Sequence, residues 1–182
     1  MSSDQDLIEG CKKGKHSAFE ALYTKYAKRM MAIALRYANT TFEAEDVVQE
    51  SFIKVFEKIN AFENKGSFEG WLKRIVVNNS INNFHKTSKE RGFEDCTEIE
   101  IPDEKAISVL SELSNIDLMS SLKMLPLGYR TVFNLYVIEG YSHKEIAELC
   151  KINEATSRSQ LSKAKVLLKE ILLQHSYVTH GK

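Results

Sequence analysis

The stretch GWLKRIVVNNSINNFHKTSK at 70–89 carries four asparagines within six residues, Asn78, Asn79, Asn82 and Asn83. The same stretch holds Lys73, Arg74, Lys86 and Lys89 and no acid. A second cationic stretch, 151–169, holds Lys151, Arg158, Lys163, Lys165 and Lys169 against Glu154 alone. Two separated basic patches are the electrostatic footprint of a partner rich in phosphate. Bond-breaking chemistry is not what these residue types offer. A helical-bundle enzyme needs carboxylates and histidines in register, such as Glu-x-x-His on two helices. That pattern is absent, and His16, His85, His143, His175 and His180 are scattered along the chain. Cys11, Cys96 and Cys150 lie far apart without CxxC or Cys/His spacing. They read as reduced thiols rather than zinc ligands, with Cys150 a small core residue. No cofactor and no metal is expected.

The elements that must present these patches are helices. With 182 residues, two prolines and eight glycines, the chain fits two small helical domains better than a turn-rich β protein. No apolar run is long enough to span a membrane, and the N-terminus MSSDQDLIEGCKKGK lacks a signal-peptide core. LIEGCKKG reads as a short helix closed by Gly14. Ala18, Leu22, Tyr26, Met30, Ile33 and Tyr37 recur at helical spacing. Thr40 and Glu43 form a capping box for the next helix, whose apolar stripe is Val47/Val48, Ser51/Phe52, Val55/Phe56 and Ile59. AFENKGS at 61–67 is a loop, and Ser67 caps the helix that starts at Phe68. Asparagine is a mediocre helix former, so four of them in that helix need a reason beyond helix formation.

The formal net charge is zero, but it is unevenly distributed. Residues 1–85 hold 12 basic and 11 acidic side chains, residues 86–115 hold 4 and 8, and residues 116–182 hold 9 and 6. An acidic middle masks the two basic surfaces. Between Thr87 and Ser114 periodicity fails, which predicts a flexible acidic linker. From Ile116 helical spacing returns, with stops at Pro126 and Gly140.

YSHKEIAELCKINEATSRSQLSKAK at 141–165 has the pattern of a helix-turn-helix. Ser142 caps a first helix with Ile146 and Leu149 inward, and Ala147 marks a close helix approach. KIN is the turn, Ile152 plugs the core and Glu154 opens the second helix. Leu161, Ala164, Leu167 and Leu168 pack inward, leaving Thr156, Arg158, Ser159, Ser162 and Lys163 outward. A DNA major groove admits one such helix, read by side chains near its N-terminus. Two residues depart from the motif. Lys151 stands where glycine is favoured, at a cost of about 1 kcal/mol if left-handed, and Ser157 stands where an apolar residue packs.

From Asp6 to Leu173 the chain resembles a bacterial sigma factor of the extracytoplasmic-function (ECF) group of the sigma-70 family. The resemblance rests on DVVQESFIKVFEKI at 46–59, GWLKRIVVNNSINNF at 70–84 and the helix-turn-helix at 143–162, in that order. It implies an all-α protein with a region 2 domain over 1–88, a flexible acidic linker over 89–115 and a region 4 domain over 116–182. It implies core RNA polymerase as partner, through the β′ clamp helices and the β flap, with Asp46, Gln49, Glu50 and Ile53 as the polymerase-binding residues. It assigns −10 recognition, as opened single-stranded DNA, to Phe62, Lys65, Lys73, Arg74, Asn78, Asn82 and Lys86. Phe62 would offer a stacking surface and Asn78 would handle a flipped base, since an amide supplies both a donor and an acceptor to a base edge. Asn78 and Asn82 share one face and Asn79 and Asn83 another, so one pair serves packing or capping. Trp71 is expected in the core. The −35 duplex falls to Thr156, Arg158, Ser159, Ser162 and Lys163. The resemblance further implies promoter DNA and an anti-sigma factor as partners, a cytoplasmic location, no membrane insertion and no catalytic activity.

A second reading is a helix-turn-helix regulator with an N-terminal helical sensing domain. Residues 4–88 show no ligand-type polar cluster to support it. A sigma factor binds core polymerase tightly and duplex DNA poorly alone, whereas such a regulator binds its duplex unaided.

Overall fold

The computed structural model describes residues 3–91 and 115–179, and every regular element among them is helical. Backbone contacts divide the chain into two units, 1–86 and 87–182. The first holds α1 (Asp4–Lys12), α2 (His16–Tyr37), α3 (Thr41–Glu57), a 3₁₀ turn (Ile59–Ala61) and α4 (Phe68–Arg91). The second holds α5 (Asn115–Lys123), α6 (Leu127–Phe133), a π-type continuation (Asn134–Ile138), α7 (His143–Cys150) and α8 (Glu154–Thr179). The linker expected over 89–115 lies outside the described residues except at its ends. There α4 runs on through Arg91, and Asn115 already opens α5. Among the described residues no helix is long and apolar enough to cross a membrane.

In the first unit, Ser3 and Asp6 form a reciprocal capping box on α1, and Gly14 takes the left-handed backbone (φ +71°) that lets the chain turn into α2. The buried stripe of α2 is Ala18, Leu22, Tyr26, Met30, Ala34 and Tyr37. Ala34 joins the expected stripe as a fully buried residue, and Ile33 packs against the same core partly buried. The hydroxyl of Tyr26 donates to Asp4 (2.6 Å), tying α1 down on α2. The Thr40 hydroxyl accepts from the Glu43 amide, but the Glu43 carboxylate reaches the amide of Asn39, one residue short of a strict capping box.

α3 and α4 are joined by a polar link inside an otherwise apolar contact. Asn79 is buried, at 5% exposure. Its amide donates to Ser51 Oγ (2.8 Å), and its carbonyl accepts from Lys54 Nζ (2.7 Å). Ser51 in turn donates to the Val47 carbonyl (2.6 Å), and Lys54 also binds Glu50 (2.8 Å). Asn79 is therefore a packing asparagine, whereas Asn78 and Asn82 are exposed.

In the second unit α8 is the spine against which α5, α6 and α7 pack. Ser142 and Glu145 form a capping box on α7, and Asn153 caps α8 by accepting from the Thr156 amide (2.6 Å). Ile146, Cys150, Leu161, Ala164 and Leu168 are buried between them, with Leu149, Ile152 and Leu167 partly buried. Cys11 and Cys150 are free and buried, and burial pushes the Cys150 thiol up to about 12. Cys96 lies outside the described residues. Lys151 is left-handed (φ 55°, ψ 41°), so the turn demands the geometry that glycine adopts without strain.

Asn79→Ala removes the hydrogen bond that buried Ser51 Oγ accepts and one of the bonds of Lys54, and should cost about 1–3 kcal/mol in denaturant unfolding. Asn78→Ala, on the exposed face, should stay within about 0.5 kcal/mol. Lys151→Gly should raise the melting temperature of the second unit, gaining up to about 1 kcal/mol by removing the left-handed strain. An unchanged or lower melting temperature would mean that the lysine side chain offsets that strain.

Candidate nucleic-acid interface

The exposed face of α4 begins where its buried face ends. Leu72, Val76, Val77 and Ile81 are buried, as are Asn79 and Ser80. Arg74, Asn78, Asn82 and Lys86, at four-residue steps, are all exposed. Four-residue steps drift slowly around a helix, so these side chains form one oblique strip about 18 Å long. The strip alternates cationic ends with two central amides. Lys73 beside it is half-buried. Charge reaches phosphates, and amides reach base edges.

The loop that precedes α4 differs from expectation at its key residue. Phe62 is buried (6% exposed), edge-on to Phe68 and tilted against Trp71, with ring centroids 5.5 and 5.2 Å away. It is a core aromatic and offers no stacking surface. Three rings meeting there gain more from burial than one exposed ring could. Lys12 Nζ donates to the Phe62 carbonyl and holds the backbone at this point as well. Trp71 is half-buried against the same cluster, as its helix position predicts. Beyond Phe62 the chain turns outward: Glu63, Asn64, Lys65, Gly66 and Ser67 are all exposed. Asn64 (φ 56°) and Gly66 (φ 117°) both adopt left-handed backbone, and Lys65 pairs with Glu63 (2.6 Å). Asn64 escaped the sequence reading. Its signal was asparagine's tolerance of left-handed geometry, in a loop already marked by a glycine. Ser67 caps α4 through the Gly70 amide (3.1 Å).

On α3, Asp46, Gln49, Glu50 and Ile53 are all exposed and share one face at helical spacing. Ile53 is 58% exposed, an apolar side chain left on an acidic face. Gln49 also lines an open groove between α2 and α3, together with Tyr23, Ala27, Met31 and Val48. The hydrogen bond from Lys54, aided by its charge and that of Lys86, holds the Glu50 carboxyl below its ordinary value. That face is anionic at neutral pH.

On α8, Arg158 and Ser159 are exposed, and Thr156, Ser162 and Lys163 are half-buried. The Arg158 guanidinium is paired with Glu154 one turn back, which aligns it along the helix. Ser159 donates to the Thr156 carbonyl (3.1 Å). Ser157 is fully buried, and its hydroxyl is hydrogen-bonded to His143 Nδ1 (2.9 Å) at the start of α7. The sequence marked Ser157 as a departure, but only the fold shows its partner.

Residues 22–90 match Sigma-70 region 2, and residues 116–168 match Sigma-70, region 4, together more than half of the chain. The chain is 29% identical over 180 residues to the ECF RNA polymerase sigma-E factor of Haemophilus influenzae, covering 91% of this chain and 93% of that protein. It is 27% identical over 186 residues to the RNA polymerase sigma-H factor of Pseudomonas aeruginosa, covering 94% and 95%. Among solved structures it resembles the sigma factor RpoE of Bartonella quintana, crystallised with the anti-sigma factor NepR. That match has a TM-score of 0.51 at 25% identity over 85% of this chain and 96% of that one. CnrH in complex with the cytosolic domain of CnrY shares the fold, with a TM-score of 0.50 at 21% identity over 94% and 97% of the two chains. A region 2 match over 22–90 leaves no support for a sensing domain there. The chain belongs to the sigma-70 family, in its ECF group, and acts in promoter-specific initiation of transcription.

Proposed function

We propose that the three exposed faces divide the work of initiation. The α3 face of Asp46, Gln49, Glu50 and Ile53 docks on the β′ clamp helices of core polymerase. The α4 strip of Arg74, Asn78, Asn82 and Lys86, with Lys73 and Lys65, holds the opened −10 strand. The first turns of α8, through Thr156, Arg158, Ser159, Ser162 and Lys163, read the −35 duplex, and the region 4 domain also meets the β flap. The domain limits are 1–88 and 116–182, with the acidic segment between them as linker. Asn64 takes the loop position first assigned to Phe62, because its amide is exposed where the phenyl ring is buried. The observation that carries this reading is the split of the asparagines on α4: one is bonded inward while two remain exposed in a cationic strip without an acid.

The protein supplies binding energy and no catalytic groups, and it works in the cytoplasm, where polymerase and promoters are. An anti-sigma factor, as in the RpoE–NepR complex, is its regulatory partner. Such a partner would compete for the α3 face and its groove, where acid and exposed apolar side chains adjoin.

Run-off transcription with purified core polymerase tests the assignment, on promoters selected from a pool randomised at −35 and −10. Asp46→Lys with Glu50→Lys should abolish core binding while circular dichroism and melting stay nearly unchanged. Loss of fold together with binding would return α3 to a purely structural role. Asn78→Ala should keep core binding and −35 selection yet fail to open −10, because a flipped base without a partner no longer offsets the few kcal/mol of unstacking. A template with a pre-opened −10 bubble should partly rescue it, as read by permanganate footprinting. Normal opening on the paired template would remove Asn78 from the −10 site.

A further inference from the structure

The contact between His143 and Ser157 lies behind the outward face of α8, joining it to the start of α7. His143 is the first residue of α7, and its Nδ1 lies 2.9 Å from Ser157 Oγ. The other flank of the ring is stacked on Tyr136 of the π-type segment, with centroids 4.5 Å apart and planes 22° from parallel. Ser157 is completely buried, one helical turn into α8, and it sits between Thr156 and Arg158 in sequence. An apolar residue at 157 would pack against α7 without a preferred rotation. A hydrogen bond is directional and holds the donor–acceptor distance to a few tenths of an ångström. Three elements thus meet at one imidazole: the π-type segment by stacking, α7 by covalent attachment and α8 by the hydroxyl.

We propose that His143 is a positioning residue for −35 recognition: through Ser157, and backed by Tyr136, it sets the rotation of the first turns of α8, and so the angle at which Thr156 and Arg158 enter the major groove. A rotation of α8 by one residue's worth of slack would swing those side chains away from base edges while leaving the cationic surface intact. Sequence discrimination therefore depends on this clasp, and general attraction to DNA does not. Burial is the main reason the imidazole is disfavoured as a cation, with Arg158 and Lys165 adding to that effect and Glu154 opposing it. Both contacts, the stack on Tyr136 and the bond to Ser157, are open to the neutral ring.

This inference rests on α8 reading the −35 duplex, and the experiment separates the two. The full chain, reconstituted with core polymerase, selects from the pool randomised at −35 and −10, and enrichment is sequenced at both windows. Arg158→Ala serves as the control for the parent reading. If it leaves the −35 profile unchanged, that reading fails, whatever His143 does. Given a changed profile, His143→Leu keeps the volume but not the bond, and Ser157→Ala removes the hydroxyl. Each should lower enrichment of the best −35 sequence over the pool mean by about tenfold, the scale of one lost base contact. The −10 profile and core binding should stay as in the wild type. His143→Gln, which returns a polar group to the site, should recover part of the −35 selectivity. Unchanged −35 enrichment in His143→Leu and Ser157→Ala would overturn the proposal. So would a loss at both windows that follows the drop in melting temperature, or a Gln variant no better than Leu. Should Ser157→Ala unfold, the Leu and Gln pair at position 143 decides alone, since that residue is only half-buried.

Discussion

The region 2 unit depends on one buried amide. Asn79 sits between α3 and α4 with both ends of its side chain bonded, to Ser51 and to Lys54. Apolar contacts between two helices tolerate rotation, because dispersion and burial change little as one helix turns by a few degrees. A buried amide does not tolerate it. Losing either bond leaves a desolvated polar group, so the rotation of α4 about its axis is set by where its partners lie. With Asn79 turned inward, helical spacing alone carries Arg74, Asn78, Asn82 and Lys86 to the outside. The link also joins the acidic face of α3 to α4, since Lys54 is shared between Glu50 and Asn79.

The second unit solves the same problem with different atoms. Between α7 and α8 a hydroxyl–imidazole bond stands where a helix-turn-helix more often has an apolar contact, and the turn before α8 accepts a lysine in left-handed geometry. In both units the apolar core supplies most of the stability, while one or two buried polar contacts supply orientation. That division suits a protein whose output is recognition. A hydrogen bond across an interface forms only within a narrow range of distance and angle, and a helix held at fixed rotation keeps its side chains within that range.

Electrostatics follow the same logic at larger scale. The chain has zero net charge, but its charges are segregated: an α4 strip without acid, an acidic face on α3 and a basic α8. Within about a Debye length, some 8–10 Å at ordinary salt, the local strip rather than the total governs what approaches. The pairing of Arg158 with Glu154 fits this arrangement, because an exposed ion pair is worth little and yields readily to a phosphate or guanine.

Much of this was legible in the sequence. The all-helical character, the caps at Ser67 and Ser142, most of the inward stripes of α2, α3 and α8, and the helix-turn-helix follow from spacing and local propensity, which act over a few residues, whereas the π-type segment 134–138 does not. The division of the asparagines into an inner and an outer pair was legible as well, since it follows from helical periodicity. The resemblance put Asn78 and Asn82 outside, but the physical reason Asn79 turns inward is Ser51, some 28 residues away in sequence. Phe62 shows the limit of local reading. A phenylalanine in a polar loop looks like a surface ring, but Phe68 and Trp71 close around it once α4 folds back, and burial outweighs exposure. Ser157 is the converse. A serine among inward positions looks like a defect until His143 is seen 2.9 Å away. Periodicity determined which face each residue occupies. Only tertiary structure decided which polar residues have partners, because a hydrogen bond depends on the distance between atoms that the chain order does not encode.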